Sequence, residues 1–385
     1  MRKVLMLATT AAMIEQFNRK NIELLNNMGY CVDVAGNFQQ GNPISNEKII
    51  QFQNWIEERG GRYYDIPMLR KPSAVRQNLK AYKLILTLLN KNHYLFIHVH
   101  TPIGAILGRI AAHMLKIPVI YTAHGFHFFK GVSLKNWILF YPLEWMCSWW
   151  TDILITINTE DYKLAKNHMH AKRIQYVKGV GIDFNLIEKI TFNRTDKLNS
   201  LHIPEEAVII LSVGELNKNK NHAVVLHAMS EIQNVKVHYV ICGQGEEKAN
   251  LEKLAEQYGI HQRVHILGFR NDILELYKCS DIFAFPSKRE GLSVALMEAM
   301  AAGLPVICFQ IRGNVDLIEE NRGGYLAEPN NQIDFKIGLD KLCMSKKLRK
   351  EMGSYNKNKA REYDVSEIDI QMRHIYNLMF QNTEK

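Results

Sequence analysis

Short aliphatic runs alternate with amphipathic stretches along most of the chain. In the first half, VLMLAT (4–9) precedes a helical pattern near 13–28 and then CVDVAG. YLFIHVH (94–100) precedes IGAILGRIAAHML, and PVIYTAH (118–124) precedes a further helix-like stretch and ILITIN (153–158). The second half repeats the rhythm with VIILSVG (208–214), VHYVICG (237–243), VHILG (264–268), DIFAFPS (281–287) and PVICFQ (305–310). Helical patterns over 222–231, 246–258, 271–278 and 292–302 separate them. Runs that are apolar throughout belong to strands covered on both faces, and their alternation with helices predicts parallel sheets. Two such series predict an α/β fold of two doubly wound, Rossmann-like domains facing a central cleft. The polar, weakly periodic stretch 184–206 sets the expected boundary, with residues 1–190 in one domain and 191–363 in the other. Residues 364–385 supply a C-terminal helix free to pack back on the first domain.

Length agrees with two domains, since 385 residues are available and a domain takes roughly 100–200. An apolar content of 47% excludes a disordered chain. No run approaches the ~20 apolar residues of a spanning helix. The most apolar aromatic segment, 137–150, is interrupted by Pro142 and Glu144. The opening MRKVLMLATTAAMIEQF has the basic tip and apolar run of a signal peptide, but it also reads as a first buried strand. The six cysteines are scattered, with no Cys-x-x-Cys pair, so a strand and a reducing cytosol are expected. Charge is uneven. Residues 1–190 carry 23 Lys and Arg against 13 Asp and Glu, whereas 191–385 carry 25 against 26. A basic half beside a neutral one implies different partners for each.

Ligands of open α/β sheets sit beyond the carboxyl ends of the strands, so the strand-to-helix junctions hold the candidate chemistry. In SKREGLSVALMEAMAAGLPVI (287–307), a strand ending at Pro286 leads to a polar loop and a helix beginning near Gly291. Glu290 and Glu298 bracket seven residues, and the amides of Leu292, Ser293 and Val294 point out of the helix start. Such amides, at the positive end of a helix, bind anions or oxygen-rich ligands, and carboxylates at this spacing can each accept from a sugar diol. The plainer alternative makes Glu290 a cap and Glu298 a solvated helix residue.

EGLSVALMEAMAAGLPVI resembles the glutamate-pair motif of the family-four retaining glycosyltransferases, which have the two-Rossmann GT-B fold. SVGELNKNKNH (212–222) is similar to that family's diphosphate loop, and VICGQGEEKANLEKLAE (240–256) and VHILGFRNDILELYKCSDIFAFPS (264–287) match in order. VIYTAHGFHFFKGVSLKNWILFYPLEWMCSWWTDILITIN (119–158) resembles the capsule and exopolysaccharide subgroup. The resemblance implies that Glu290 binds donor-sugar hydroxyls with the amides of Gly291, Leu292 and Ser293 nearby, and that Glu298 accepts from ribose. It places Lys220 on the donor diphosphate, and Arg270 in the region lining the nucleobase pocket. Where many members have an Arg five residues before the lysine, this chain has Glu215. A carboxylate cannot neutralise phosphate, so another cation, with Arg270 and Arg289 as candidates, would have to compensate, or Glu215 face away, or the acceptor side differ.

His124, at the end of a strand in TAHGF, can donate to a sugar hydroxyl. His98, His100 and His127 lie near it in sequence and invite a zinc site, but no His-Glu-x-x-His and no flanking Cys accompany them. With no Asp-x-Asp triplet either, neither metal nor cofactor is expected. The family's glycine-rich loop after strand one is replaced by ATTAAMIEQF. Thr9 and Thr10 could bind acceptor or phosphate there, or Thr10 could cap a helix.

Residues 59–91 carry eight cations against Asp65, and SAVRQNLKAYKLILTLLNK sets an apolar stripe (Val75, Leu79, Tyr82, Leu86, Leu89) beside a basic face. Together with the aromatics of Trp137–Trp150, this pattern favours docking on anionic lipid, unless the stripe is core and the charges are merely solvated. No nucleic-acid-binding motif accompanies it. The resulting expectation is a retaining glycosyltransferase of capsule or exopolysaccharide biosynthesis. It would pass a sugar from a UDP-sugar to a polyprenyl-diphosphate-linked saccharide, as a cytoplasmic enzyme peripheral at the inner face of the cell membrane. A UDP-sugar 2-epimerase on the same fold is the alternative. A nicotinamide oxidoreductase is disfavoured because CGQGEEKA keeps only two glycines of the dinucleotide fingerprint.

Overall fold

The computed structural model describes residues 2–71, 73–232 and 236–381. Among these, the chain forms two units, Met1–Val180 with Ser366–Lys385, and Gly181–Val365. The first holds a parallel sheet of β1 (Lys3–Thr10), β2 (Cys31–Asn37), β3 (Tyr63–Asp65), β4 (Tyr94–His100), β5 (Val119–Ala123), β6 (Ile153–Thr156) and β7 (Arg173–Tyr176), in the order β3-β2-β1-β4-β5-β6-β7. The second holds β8 (Val208–Val213), β9 (Val237–Cys242), β10 (Val264–Gly268), β11 (Ile282–Phe285), β12 (Val306–Phe309) and β13 (Gly324–Ala327), in the order β10-β9-β8-β11-β12-β13. Both are doubly wound Rossmann-like sheets with helices on each face.

The inner strands are apolar because both their faces are covered. All of β2, β9, β11 and β12 is buried, and so is β1 except for the half-buried Lys3. The opening residues are thus a central strand, paired with β2 and β4. Edge strands look different: β3 and β7 are three and four residues long and mostly half-buried. The polar stretch after Val180 holds short helices whose Phe184, Ile187 and Leu198 are buried in the second unit's core. The last helix, Val365–Gln381, buries Ile368, Met372, Ile375, Tyr376 and Met379 in the core of the first unit, against β1, β2 and β4.

Three helices, Val75–Lys91, Pro102–Met114 and Leu134–Ser148, pack side by side on one face of the first sheet. The third contains Pro142 and is apolar around its circumference except at Lys135, Asn136, Glu144 and Ser148. Glu144 is turned inward. Its Oε2 accepts from the Arg109 guanidinium at 2.6 Å and its Oε1 accepts from the Tyr121 hydroxyl at 3.1 Å. Arg109 Nε also donates to the Ala105 carbonyl at 3.1 Å. The two charged side chains are only 1% and 6% exposed.

Removing one partner of such a pair leaves a buried charge without compensation. Glu144→Ala should therefore destabilise the first unit by about 3–5 kcal/mol. All five tryptophans lie between Trp55 and Trp150, so their fluorescence in urea reports this unit alone. The double change Arg109→Met with Glu144→Leu should recover most of the loss. A single variant as stable as the native chain would contradict the assignment.

Candidate functional site

In both sheets the strand order reverses beside the unit's first strand, between β1 and β4 and between β8 and β11. Loops leaving neighbouring strands there run to opposite faces and leave a crevice at the carboxyl edge. In the second unit, the β8 loop carries Lys220 and the β11 loop carries Glu290. Lys220 Nζ donates to Glu290 Oε1 at 2.8 Å and lies 4.8 Å from the centroid of the Phe285 ring. The two side chains are 19% and 14% exposed, so the pair is covered but reachable. The lysine stem runs over Gly214, where a Cβ would stand 3.1 Å from Lys220 Cε.

The two loops are stitched together. Asn217 Oδ1 accepts from the amides of Asn219 and Lys220 at 3.0 and 2.9 Å, which folds the β8 loop back on itself. The Lys288 amide donates to the Asn219 carbonyl at 2.9 Å, and Asn219 Nδ2 donates to the Arg289 carbonyl at 3.0 Å. From the β12 side, the buried Arg312 donates through Nε to the Glu290 carbonyl at 3.2 Å. Gly313, at φ +81°, sits so close that a Cβ would meet the Gly291 carbonyl at 2.3 Å. Beyond Gly291 and Leu292, Ser293 caps the helix Val294–Ala301, its Oγ accepting from the Leu296 amide at 3.4 Å. Glu298 lies on that helix beside Tyr277. Burial pushes its carboxyl up to about 7, with the Tyr277 hydroxyl pulling the other way.

Arg270 is held elsewhere, donating from Nε and a terminal nitrogen to Asp272 at 2.8 and 2.6 Å. Asp272 also accepts from Lys197 at 2.7 Å. Glu215 is exposed and accepts from Asn217 Nδ2 at 2.9 Å. Arg289 is exposed.

In the first unit three imidazoles gather at the ends of β4 and β5. His100 Nδ1 and His124 Nε2 share a hydrogen bond of 3.1 Å. His98 bonds Thr122 through Nε2 at 2.8 Å and Tyr376 through Nδ1 at 3.1 Å. Burial lowers His98 to about 3 and His124 to about 4, and takes His100 well below its ordinary value. All three are therefore neutral near pH 7. His100 Nε2 is buried without a hydrogen-bond partner. Thr9 is committed to the fold: its hydroxyl bonds that of Thr101 at 2.7 Å and accepts from the Gly104 amide at 3.1 Å. Thr10 precedes the short helix Ala11–Phe17 without a side-chain cap, and its hydroxyl accepts from Arg70 at 3.3 Å. Among the described residues no three His, Cys, Asp or Glu side chains group as metal ligands.

The family profile described as glycosyl transferases group 1 matches residues 193–359, and that described as glycosyl transferase 4-like matches residues 3–158. EpsD of Bacillus subtilis is 31% identical over 98% of this chain and 96% of its own length. The chain belongs to the GT-B glycosyltransferases of family four. The UDP-Gal:alpha-D-GlcNAc-diphosphoundecaprenol alpha-1,3-galactosyltransferase of Escherichia coli is 30% identical to this glycosyltransferase over 74% of the chain and 76% of the relative. In fold, HepE of Anabaena, crystallised with UDP-glucose, superposes with a TM-score of 0.77 at 18% identity, over 98% of this chain and 100% of the other.

In this glycosyltransferase, Lys220 and Glu290 come into contact, Gly291 to Ser293 follow directly, and Glu298 lies one turn and a half into the capped helix. Arg270 is engaged by Asp272, which Lys197 also bonds, rather than joined to that group. Sequence reasoning passed over Arg312, the side chain that fixes the Glu290 backbone. The sequence offered only an arginine followed by glycine just past the β12 run, at the carboxyl end of a strand.

The imidazole cluster has a consequence for acid stability. Each histidine has a folded-state pKa below its unfolded value near 6.5, so unfolding takes up protons once the pH drops under that value. The contribution to stability is complete above pH ~6.5 and is lost progressively toward pH ~4 for His124 and pH ~3 for His98. At pH 5 the loss should be about 2 kcal/mol each for His98 and His124. Tryptophan-detected unfolding at pH 7 and pH 5 measures it. A first unit equally stable at both pH values would refute the buried neutral cluster.

Proposed function

We propose that this glycosyltransferase moves a sugar from a UDP-sugar to a saccharide carried on polyprenyl diphosphate, with retention of anomeric configuration and without a metal ion. The observation that carries the reading is the Lys220–Glu290 pair, held on two stitched loops at the switch point of the second unit. The printed activity of the Escherichia coli relative, UDP-galactose onto a diphosphoundecaprenol-linked sugar, supports both donor and acceptor class. A Campylobacter jejuni relative, 32% identical over 41% of this chain, is likewise named for a diphospho-undecaprenol acceptor. The resemblance of residues 119–158 to the capsule and exopolysaccharide subgroup favours a place in that assembly, and a lipid-carried acceptor puts the enzyme at the inner face of the cell membrane.

Residues 181–365 form the donor unit in this reading. Lys220 leaves Glu290 for the diphosphate and stabilises the negative charge that grows on the leaving group. Glu290, released from the lysine, accepts from hydroxyls of the sugar, while the amides of Gly291, Leu292 and Ser293 face its oxygens. Glu298 accepts from the ribose diol. Arg270, tied to Asp272, shapes the nucleobase side through its backbone. The first unit takes the acceptor, and His124 offers a neutral imidazole to a sugar hydroxyl.

Glu290→Gln should cut transfer by about 10²–10³-fold while UDP binds at least as well as before, because Lys220 loses its competing anion. Lys220→Ala should weaken UDP but not uridine, and a chelator should leave turnover intact. Calorimetry with UDP and uridine, beside a transfer assay, separates these outcomes; unchanged transfer in Glu290→Gln would reject the assignment.

Glu298 gives a pH signature. Its carboxyl is at about 7 in the free protein, and accepting from both ribose hydroxyls favours the carboxylate over the acid, so donor binding should release protons. Donor affinity should therefore rise by several-fold from pH 6 to pH 8, and Glu298→Gln should flatten that profile. An unchanged slope in the variant would remove Glu298 from the nucleotide site.

A further inference from the structure

The helix Leu134–Ser148 is apolar nearly all round, and such a helix is ordinarily buried on every side or set against lipid. Here only one side is covered. Glu144, Cys147 and Ser148 face the core, while Leu134, Ile138, Leu139, Trp145, Met146 and the following Trp149 are exposed. Leu134 is 72% exposed and Ile138 69%. An apolar circumference gives no amphipathic signal to choose which side turns inward. The buried Arg109–Glu144 pair makes that choice and holds the apolar side out.

The charge around this helix selects what can cover it. Between residues 66 and 151 the chain has ten Lys and Arg and one carboxylate, Glu144. Glu144 and Arg109 neutralise each other in the interior, and the remaining nine cations are all exposed. Arg76, Lys80 and Lys83 follow at helical spacing on Val75–Lys91, beside the exposed Val75 and Leu79. Lys135 lies on the apolar helix itself. A second copy of this chain would set Arg76, Lys80, Lys83 and Lys135 against the same cations. An anionic lipid surface complements both the charge and the apolar side chains.

We infer that the Leu134–Ser148 helix inserts its outer side into the headgroup region of an anionic bilayer, with the cations of the Val75–Lys91 helix resting on lipid headgroups. Trp145 and Trp149 suit the boundary between acyl chain and headgroup, where an aromatic ring has one apolar and one wet side. No described helix is long and apolar enough to cross a membrane, so the contact is with one leaflet. This inference rests on the lipid-linked acceptor reading, because it gives that acceptor a surface from which to reach the enzyme.

The test uses the full chain and vesicles free of acceptor, of phosphatidylcholine alone or mixed with phosphatidylglycerol. The native protein should sediment with the mixed vesicles at low salt. Leu134→Gln, Ile138→Gln and Trp149→Gln together should lower the partition by at least about tenfold, with the melting temperature unchanged. Lys80→Gln with Lys83→Gln should lower it by roughly 25-fold at low salt. Should the triple variant fold poorly, brominated acyl chains supply a second readout. They should quench the native tryptophan fluorescence, and less so in Trp149→Phe. Partition of a well-folded triple variant equal to the native protein's, or unquenched fluorescence in vesicle-bound native protein, would overturn the inference. So would a native dimer that the triple variant splits, with no vesicle binding. Because these vesicles hold no sugar acceptor, a failed transfer assay leaves the result untouched, and failed binding leaves the donor chemistry intact.

Discussion

A parallel sheet covered on both faces can present chemistry only along its carboxyl edge, and the rest of the structure follows from that constraint. In the second unit the order β10-β9-β8-β11 brings the loops after β8 and β11 together although about 70 residues separate them in sequence. Lys220 and Glu290 meet because of that reversal. The Asn217 and Asn219 bonds, Arg312 and the close approach of Gly313 then fix the loop backbones, so that the charged ends are the adjustable parts.

Two ion pairs in this chain show how burial decides the role of a charge. Arg109 and Glu144 are almost fully covered, and each makes a further hydrogen bond, Arg109 to the Ala105 carbonyl and Glu144 from the Tyr121 hydroxyl. Neither can leave without stranding the other, so the pair acts as a fixed orienting contact. Lys220 and Glu290 keep some solvent contact. A diphosphate can replace the carboxylate on the lysine while sugar hydroxyls replace the ammonium on the carboxylate. Covered enough to exclude most water yet open enough to exchange partners, this pair suits a binding site better than a structural bridge.

The central strands were legible because burial on both faces leaves an unbroken Val/Ile/Leu run, as in VIILSV and VHYVIC. The edge strands Tyr63–Asp65 and Arg173–Tyr176 carried no such run, since one side of each lacks a neighbour and its residues are half-exposed. The glutamate loop was visible from the junction of a strand with a capped helix. Its contact with Lys220 was not, because nothing local encodes strand order. Arg270 shows the same limit: nothing local announces that its guanidinium is bound by Asp272, two residues on. For the Leu134–Ser148 helix, an all-round apolar sequence left its orientation unreadable until the long-range partner of Glu144 was known.

The imidazole pair in the first unit can be carried one step further by hydrogen-bond accounting. His100 and His124 are both neutral at pH 7, so each has one nitrogen with a proton and one without. His100 Nε2 is buried with no partner. A buried N–H lacking an acceptor is rarer in proteins than an acceptor lacking a donor, which puts the His100 proton on Nδ1. That nitrogen then donates to His124 Nε2, and the His124 proton must sit on Nδ1. His100 thereby turns its neighbour into a donor, the polarity that the proposed contact with a sugar hydroxyl requires. The polarity of the proposed His124 contact is thus set by the orphaned nitrogen of His100, a residue that need not touch the substrate.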